Sequence, residues 1–449
     1  MKVLTWKGLE IDDWLFYLGV IFIPFDNLFF APSAGWATIA PIIFLVYLLF
    51  NARYINLKRE TLWIAVALFT LTLFNYIFYT PTFDTIFDSL STGILGASFY
   101  FSMYIFFIEK KREPKLFLKL LFIVYTISFF YGVLDSFNIP FISKIMDFLE
   151  RRNYPRLQFT FTEPSFISMH LYGVLLPIIF IFRKYRKEVK NLAILILFFL
   201  ITTLVVGGSA RFYIDTAVVL FIIFACVFFS GKFTKKKWII LGVACAVVIG
   251  VFFVLLQVPR IRNIIEKGVY ADASLACRWF RINAIFKGLK GNPVGLLFGY
   301  GMSNTYYPFN AGYYEALAEY INAYLSEVGD LRGSVTTSFF CGHLRLLADF
   351  GAVFYVPFMA MLFTKRRKAI YRSIFFWVLV YLYVQFDSYA FYTIWLYLFF
   401  YEYERHLSGE DRLLREPEWS WYRVITKNIS SKYSNIKTKM TYIKKENIR

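Results

Sequence analysis

FFCGHLRLLADFG (Phe339–Gly351) marks where the longest polar interval of the chain, Val258–Thr337, gives way to an apolar run. Its reading decides the fold, because nearly everything on either side is apolar. Hydrophobic runs of about 15–20 residues, bounded by charge, have the length that carries a helix across the hydrocarbon core. Nine precede the interval: Trp14–Ala31, Trp36–Phe50, Leu62–Tyr79, Leu90–Ile108, Leu116–Phe137, Pro164–Phe182, Leu192–Gly207, Phe212–Ser230 and Trp238–Gln257. Three follow: Leu344–Phe363, Ser373–Phe386 and Tyr389–Tyr403. The expected fold is an all-α polytopic membrane protein of about 12 transmembrane helices with one large external loop between spans 9 and 10. Membrane spans over 1–257, the loop over 258–342, further spans over 343–404 and a basic tail over 405–449 are the expected divisions. A polar insert this long between spans is uncommon unless it has a task of its own.

Composition agrees. The 449 residues are 58% hydrophobic, with 54 Phe and 33 Tyr, and the mean hydropathy is +0.54. The formal charge of +19 would suggest nucleic acid in a soluble protein. Here the basic residues sit in short clusters between spans, so the positive-inside rule explains the excess and nucleic acid is excluded as a partner. The clusters are Arg53, Lys58 and Arg59; Lys110–Arg112 with Lys115; Arg183–Lys190; Lys232 with Lys235–Lys237; and Lys365–Lys368 with Arg372. All fall on one side of the alternation, which is then cytoplasmic, with both termini inside. The N-terminus lacks a cleavable signal, and its first apolar run reads as a retained span. The two halves show no inverted repeat of the transporter kind. SKIMDFLERRNY, within Asn138–Phe161, reads as a short interfacial helix, and the tail containing WSWYR (Trp419–Arg423) as a segment held near anionic lipid. No Cys or His spacing suggests a metal. Cys277 and Cys341 could pair if the interval is outside.

Four stretches bear candidate chemistry. In RLQFTFTEPSF (Arg156–Phe166), Glu163 precedes a proline at a helix start. It fits either a helix-dipole partner or an outer-face carboxylate placed to accept a proton or to hydrogen-bond a sugar hydroxyl. Arg156 fits a headgroup anchor or an anion ligand. GGSARF (Gly207–Phe212) breaks an apolar region and sets Arg211 near the hydrocarbon boundary, where a cation needs a partner or a function. Asp215, one turn on, suits the partner. In RWFRINAIFKGLKGNPVGLLFGYGMSN (Arg278–Asn304), Arg278 and Arg281 share a helix face and suit bidentate phosphate contacts, or a solvated basic face. Trp279, Ile282, Ile285 and Phe286 form an apolar stripe expected on the membrane surface. The glycines at 291, 295, 299 and 301 follow no strand and make no dinucleotide fingerprint. In GHLRLLADFG (Gly342–Gly351), His343 is either a structural hydrogen-bonding group or a proton acceptor, and Arg345 pairs with Asp349 four residues on. His170 reads as a buried neutral histidine, and His406 carries no assignment.

Taken in order, the FTEPS segment, the GSxR turn, the RWxR helix leading to NPVGxLFGYG, and the HLxxLxDFG segment resemble the O-antigen polymerase and O-antigen ligase superfamily of bacterial envelope proteins. The resemblance covers roughly Arg156–Gly351; the N-terminal spans match only in hydropathy. It implies metal-independent, inverting glycosyl transfer without a cofactor at the outer face of the inner membrane. The implied partner is an undecaprenyl-diphosphate-linked oligosaccharide in membrane lipid, and a chain-length regulator is left open. Arg211, Arg278, Arg281 and Arg156 would then meet the diphosphate, and His343 or Glu163 would take the acceptor proton. The EPS form at Glu163–Ser165 is closer to the polymerases. Leu344 after His343 departs from the HN of the ligases. A lipid-linked oligosaccharide flippase is the rival reading from another class.

Overall fold

The computed structural model describes residues 5–6, 9–10, 12–26, 38–55, 59–137, 139, 156–207, 209–230, 242, 259–320, 340–365 and 370–408. Apart from turns, their regular structure is helical except for a two-residue antiparallel ladder, Thr5–Trp6 against Leu9–Glu10. Five helices are long and apolar enough to cross a membrane: Phe83–Glu109 (α4), Pro114–Ser136 (α5), Arg186–Val206 (α7), Ala210–Phe228 (α8) and Gly342–Lys365 (α13). The molecule is therefore a helical membrane protein. Shorter apolar helices overlap further predicted spans: Asp13–Phe22 (α1), Ala40–Phe50 (α2), Trp63–Tyr76 within Arg59–Tyr76 (α3), the composite Phe166–Ile181 (α6) and Ile370–Leu382 (α14), while the last predicted span overlaps the helix Tyr392–Leu407 (α15). The predicted ninth span (Gly242 apart), the interfacial helix and the basic tail beyond Ser408 lie outside the described residues. Met1–Tyr401 forms one compact unit and Glu402–Arg449 another.

Aromatic packing fills the first unit, as its composition requires. Phe16 of α1 stacks on Phe106 of α4 with ring centroids 3.9 Å apart. Phe107 lies between Phe182 and Phe399. The last turn of α4, Ile105–Glu109, widens to a π-helix, which rotates these phenylalanines relative to an ideal α-helix. α6 contains a second π-turn, Leu171–Leu175. The two sites described below lie at opposite ends of α4.

The polar interval folds into Pro259–Lys267 (α9), Ala273–Gly291 (α10), Pro293–Phe298 (α11) and Tyr306–Glu319 (α12). α10 and α12 form a close antiparallel pair around Phe280, which meets Phe309, Tyr313 and Tyr320 edge-on. Their crossing requires glycine, since a Cβ on Gly288 would stand 1.8 Å from the Pro308 carbonyl oxygen. Ile285, expected on the exposed stripe of α10, is instead buried in this core, while Trp279 and Phe286 remain exposed. The helix has two apolar faces, and the sequence pattern alone does not say which one finds a protein partner.

α13 is kinked at Gly351, whose φ of 70° and ψ of 173° are accessible essentially to glycine alone. A kink frees carbonyls of the preceding turn, and buried carbonyls need donors. The FGYG turn of the interval supplies them: Tyr300 N–H donates to the Ala348 carbonyl at 2.7 Å and Gly301 N–H to that of Asp349 at 2.9 Å. The other side of this turn is held by the end of α3. Asn75 donates to the Phe298 carbonyl, Tyr76 to that of Met302, and Asn304 to that of Tyr79. The interval is thereby fastened to two apolar helices by backbone contacts.

Candidate functional site

The turn Tyr383–Phe391 between α14 and α15, together with the last turn of α14, gathers most of the candidate residues. Its polar core is Gln385, Asp387 and Tyr389 in the run VQFDSYAF (Val384–Phe391). Three charged groups reach it from different directions.

The first comes from the turn before α8. Ser209 caps that helix, accepting the Phe212 N–H, and this sets Arg211 in its first turn. The Arg211 Nε is 3.4 Å from Asp215 Oδ2, and an Nη donates to Met169 Sδ. Asp215 is fully buried. Its carboxylate also accepts hydrogen bonds from Ser168, from Tyr381 at 2.6 Å and from Gln385 at 2.8 Å. A buried carboxylate is tolerable when so many donors and a guanidinium surround it. The expected Arg211–Asp215 pair is present, and α6, α8 and α14 meet at it.

The second is Arg345 of α13. It donates to the Asp387 carbonyl at 3.1 Å and to Ser89 Oγ at 3.0 Å. Asp349 Oδ2 is 3.8 Å away and Asp88 Oδ2 3.9 Å away, and the guanidinium lies over the Tyr389 ring at 4.4 Å. Asp349, fully buried, accepts from Thr305 at 2.8 Å and from Tyr389 at 2.6 Å. One ion pair thus joins α4, α13, the interval and the Tyr383–Phe391 turn.

The third is the pair Arg278 and Arg281 of α10. Their guanidiniums lie 5.0 and 4.9 Å from the ring centroid of Phe340, a cation–π arrangement. The Phe340 N–H donates to Asp387 Oδ2 at 3.2 Å, so the two arginines connect to the same turn through one residue. Phe340 has φ of 58°, a left-handed conformation that is costly for a phenylalanine.

His343 is held on both ring nitrogens. Nε2 is 2.8 Å from the Val380 carbonyl oxygen, which can only accept, so Nε2 carries the proton. Nδ1 then accepts from Tyr355 OH at 3.1 Å. Tyr355 lies beyond the Gly351 kink, so the imidazole ties the two halves of α13 to α14 as the neutral Nε2–H tautomer.

Glu163 sits in the turn before α6, half-buried, and takes a hydrogen bond from Ser165 Oγ at 3.1 Å. Its turn reaches Arg211's turn through Leu157 N–H to the Gly207 carbonyl and Ser209 Oγ to the Pro164 carbonyl. It reaches the central turn through the Phe166 and Phe386 rings, 5.9 Å apart. Arg156 is exposed at the edge of this arrangement. His170, expected neutral and buried, is buried beside Tyr125 and Asp26, stacked on Phe161 at 4.1 Å. Cys277 and Cys341 are both free thiols, so they do not pair.

No family model, curated protein or solved structure matches this chain.

Asp88, Ser89, Ser168, Tyr355, Tyr381, Gln385, Asp387 and Tyr389 were not singled out from sequence. The signal for the last three was the QFDSY break (Gln385–Tyr389) between two apolar runs, where polar side chains at membrane depth call for partners. The others carry no signal beyond an ordinary hydroxyl or carboxylate in a helix turn.

A second charged cluster lies at the far end of α4. Lys110 Nζ is 2.9 Å from Glu10, 2.6 Å from Asp12 and 2.9 Å from Asp13, and Arg112 is 2.6 Å from Asp13. These three carboxylates form the only group with metal-ligand spacing among the described residues, and the lysine ammonium stands among them. Burial pulls the Lys110 ammonium down, but its hydrogen bonds to Asp12, Glu10 and Asp13 outweigh this and hold it above the usual lysine range. Burial pushes Asp12 up, but the hydrogen bond from Lys110 outweighs this and leaves it below the usual carboxylate range. Two residues of the Lys110–Lys115 basic cluster are thus consumed by internal pairing.

Proposed function

We propose that this protein polymerises lipid-linked oligosaccharide repeat units, by inverting, metal-independent glycosyl transfer at the outer face of a bacterial inner membrane, with both termini cytoplasmic. The observation that supports it best is the convergence of Arg211, Arg345 and the Phe340-bound pair Arg278–Arg281 on one turn, Tyr383–Phe391, within reach of the Glu163 turn. A lipid-diphosphate donor needs cations for its leaving group and a base for the incoming hydroxyl, and the arrangement offers both.

In this reading the acceptor hydroxyl oxygen attacks the anomeric carbon of the donor sugar. The bond from that carbon to the diphosphate oxygen breaks, and its electron pair departs with the lipid diphosphate. Arg278 and Arg281 meet the charge that develops there. Arg211, oriented by Asp215, and Arg345, oriented by Asp349, set the positive potential of the site. Glu163 takes the hydroxyl proton. It is the better base of the two sequence candidates, because it is half-exposed with one carboxylate oxygen engaged by Ser165, whereas both His343 nitrogens are committed. His343 acts as a positioning residue through the kink of α13.

The test is reconstitution of the full chain in liposomes with an undecaprenyl-diphosphate oligosaccharide. The expected result is a ladder of longer lipid-linked products, abolished by Glu163→Gln and by Arg278→Ala at unchanged protein level. Transfer to a lipid A-type acceptor without ladder growth identifies a ligase. Movement of the substrate across the bilayer with no new glycosidic bond identifies a carrier. Either outcome rejects the polymerase reading.

A further inference from the structure

α11, the six-residue helix of the polar interval, is apolar on the side turned away from the protein. Val294, with 64% of its surface exposed, Leu297 and Phe298 share that side, at the spacing of one helix face. The opposite side is fixed: a Cβ on Gly295 would strike the Tyr300 ring, and Leu296 packs on the core of the interval. The exposed face continues onto α3 and the turn after it. The Phe298 ring is 6.4 Å from that of Phe74, and beyond it Ile77 and Phe78 are 76% and 65% exposed. Phe298 is also locked to α3 by the hydrogen bond from Asn75 to its carbonyl. Just before α11 on the chain stands the exposed Lys290, suited to reach a phosphate headgroup while its stem lies along apolar surface.

We infer that α11 is a membrane-inserted wedge, its Val294–Leu297–Phe298 face covered by the acyl chains of bilayer phospholipid. Continuity decides the occupant. A contiguous apolar strip of this extent on a water-facing domain would be a liability, and this one merges with the apolar surface of α3 in a protein of membrane-spanning helices. The interval is then anchored in the bilayer edge rather than held clear of it. Only the assignment to the outer leaflet rests on the topology proposed above; the insertion itself does not depend on any reaction.

The test uses the unaltered full chain in liposomes of phosphatidylglycerol and phosphatidylethanolamine, doped with a phospholipid bearing a photoreactive diazirine midway along one acyl chain. After irradiation, mass spectrometry maps the adducts. The expected result is labelling of the peptide spanning Val294–Phe298 at a yield comparable to that on the exposed α5 side chains Ile123, Ile127 and Phe130. Labelling of α5 with Val294–Phe298 at background overturns the proposal. In a second arm, hydroxyl radicals generated in the water phase modify the exposed Tyr314 of α12 and spare Leu297 and Phe298. Equal modification of all three overturns the proposal, and so does protection from both reagents, which would place a protein partner or a second copy on this face. Neither arm reads glycosyl transfer, so its outcome is independent of the polymerase test.

Discussion

The two ends of α4 carry two charged clusters of opposite design. Around Lys110, five charged side chains from a short stretch of the N-terminus and the turn after α4 neutralise one another directly. The cations face carboxylates, and Lys110 fills the centre. Around Tyr383–Phe391, the charges are spread over α4, α8, α10, α13 and the turns before α6 and after α14, and the Arg211–Asp215 and Arg345–Asp349 pairs are each completed by hydroxyl, amide or backbone groups of other elements. The first arrangement is a clasp: it closes on itself and leaves little to offer a ligand. The second distributes its cations around one turn and keeps a half-exposed carboxylate beside them. Identical residue types therefore serve as a lock at one end and as a candidate site at the other. What separates them is how many elements each charge must organise.

That contrast makes ordered predictions. Arg345→Ala leaves Asp349 buried without its cation, and the expected loss is about 3–5 kcal/mol of stability, as for other broken buried pairs. Unfolding in detergent, followed by intrinsic fluorescence, measures it; a loss below that range would mean the pair is not integral to the turn. Gly351→Ala comes next. Its new methyl would stand 2.2 Å from the Leu297 carbonyl oxygen, in a backbone conformation that disfavours any side chain, at a cost of about 2–4 kcal/mol. The substitution should also release α11 and the FGYG turn, read as faster amide exchange at Tyr300 and Gly301. Lys110→Ala is expected to cost less, about 2 kcal/mol, because Glu10 and Asp12 keep 21% and 22% of their side chains in water and can rehydrate.

The smallest effect is on pH dependence, and its sign follows from the clasp. Lys110 is held above its ordinary value, so its contribution is complete below the unfolded lysine pKa of about 10.4 and is lost as pH rises through the folded one. Asp12 is held below its ordinary value, so its contribution is complete above the unfolded aspartate pKa of about 3.9 and is lost as pH falls through the folded one. The melting temperature of the wild type relative to Lys110→Ala should be flat between these limits and converge with it beyond them. A difference that instead changed near neutrality would mean the clasp is not what the substitution removed.

Much of this architecture was legible in the chain. The long apolar runs gave the helices, and the Arg211–Asp215 and Arg345–Asp349 spacings gave two ion pairs. Three features were not legible, each for a physical reason. Ile285 faces α12 because α10 is apolar on two sides, and period alone cannot choose between a membrane and a neighbouring helix. Lys110 reads as one of several solvated cations; only its burial among Glu10, Asp12 and Asp13, about a hundred residues away in sequence, shows that it is spent. The QFDSY turn became the centre because Asp215 of α8, Arg345 and Asp349 of α13 and the Phe340 backbone all bring polar groups to it, and long-range convergence leaves no local pattern.

The central claim is that the Tyr383–Phe391 cluster performs transfer and the Lys110 clasp only holds the fold. It is tested most directly by comparing Arg278→Ala with Lys110→Ala in the liposome assay, with product counted per folded molecule. Arg278→Ala is expected to abolish glycan elongation while keeping wild-type stability, and Lys110→Ala to lower stability while each folded molecule elongates at the wild-type rate. Wild-type elongation by Arg278→Ala, or loss of elongation per folded molecule in Lys110→Ala, would contradict it.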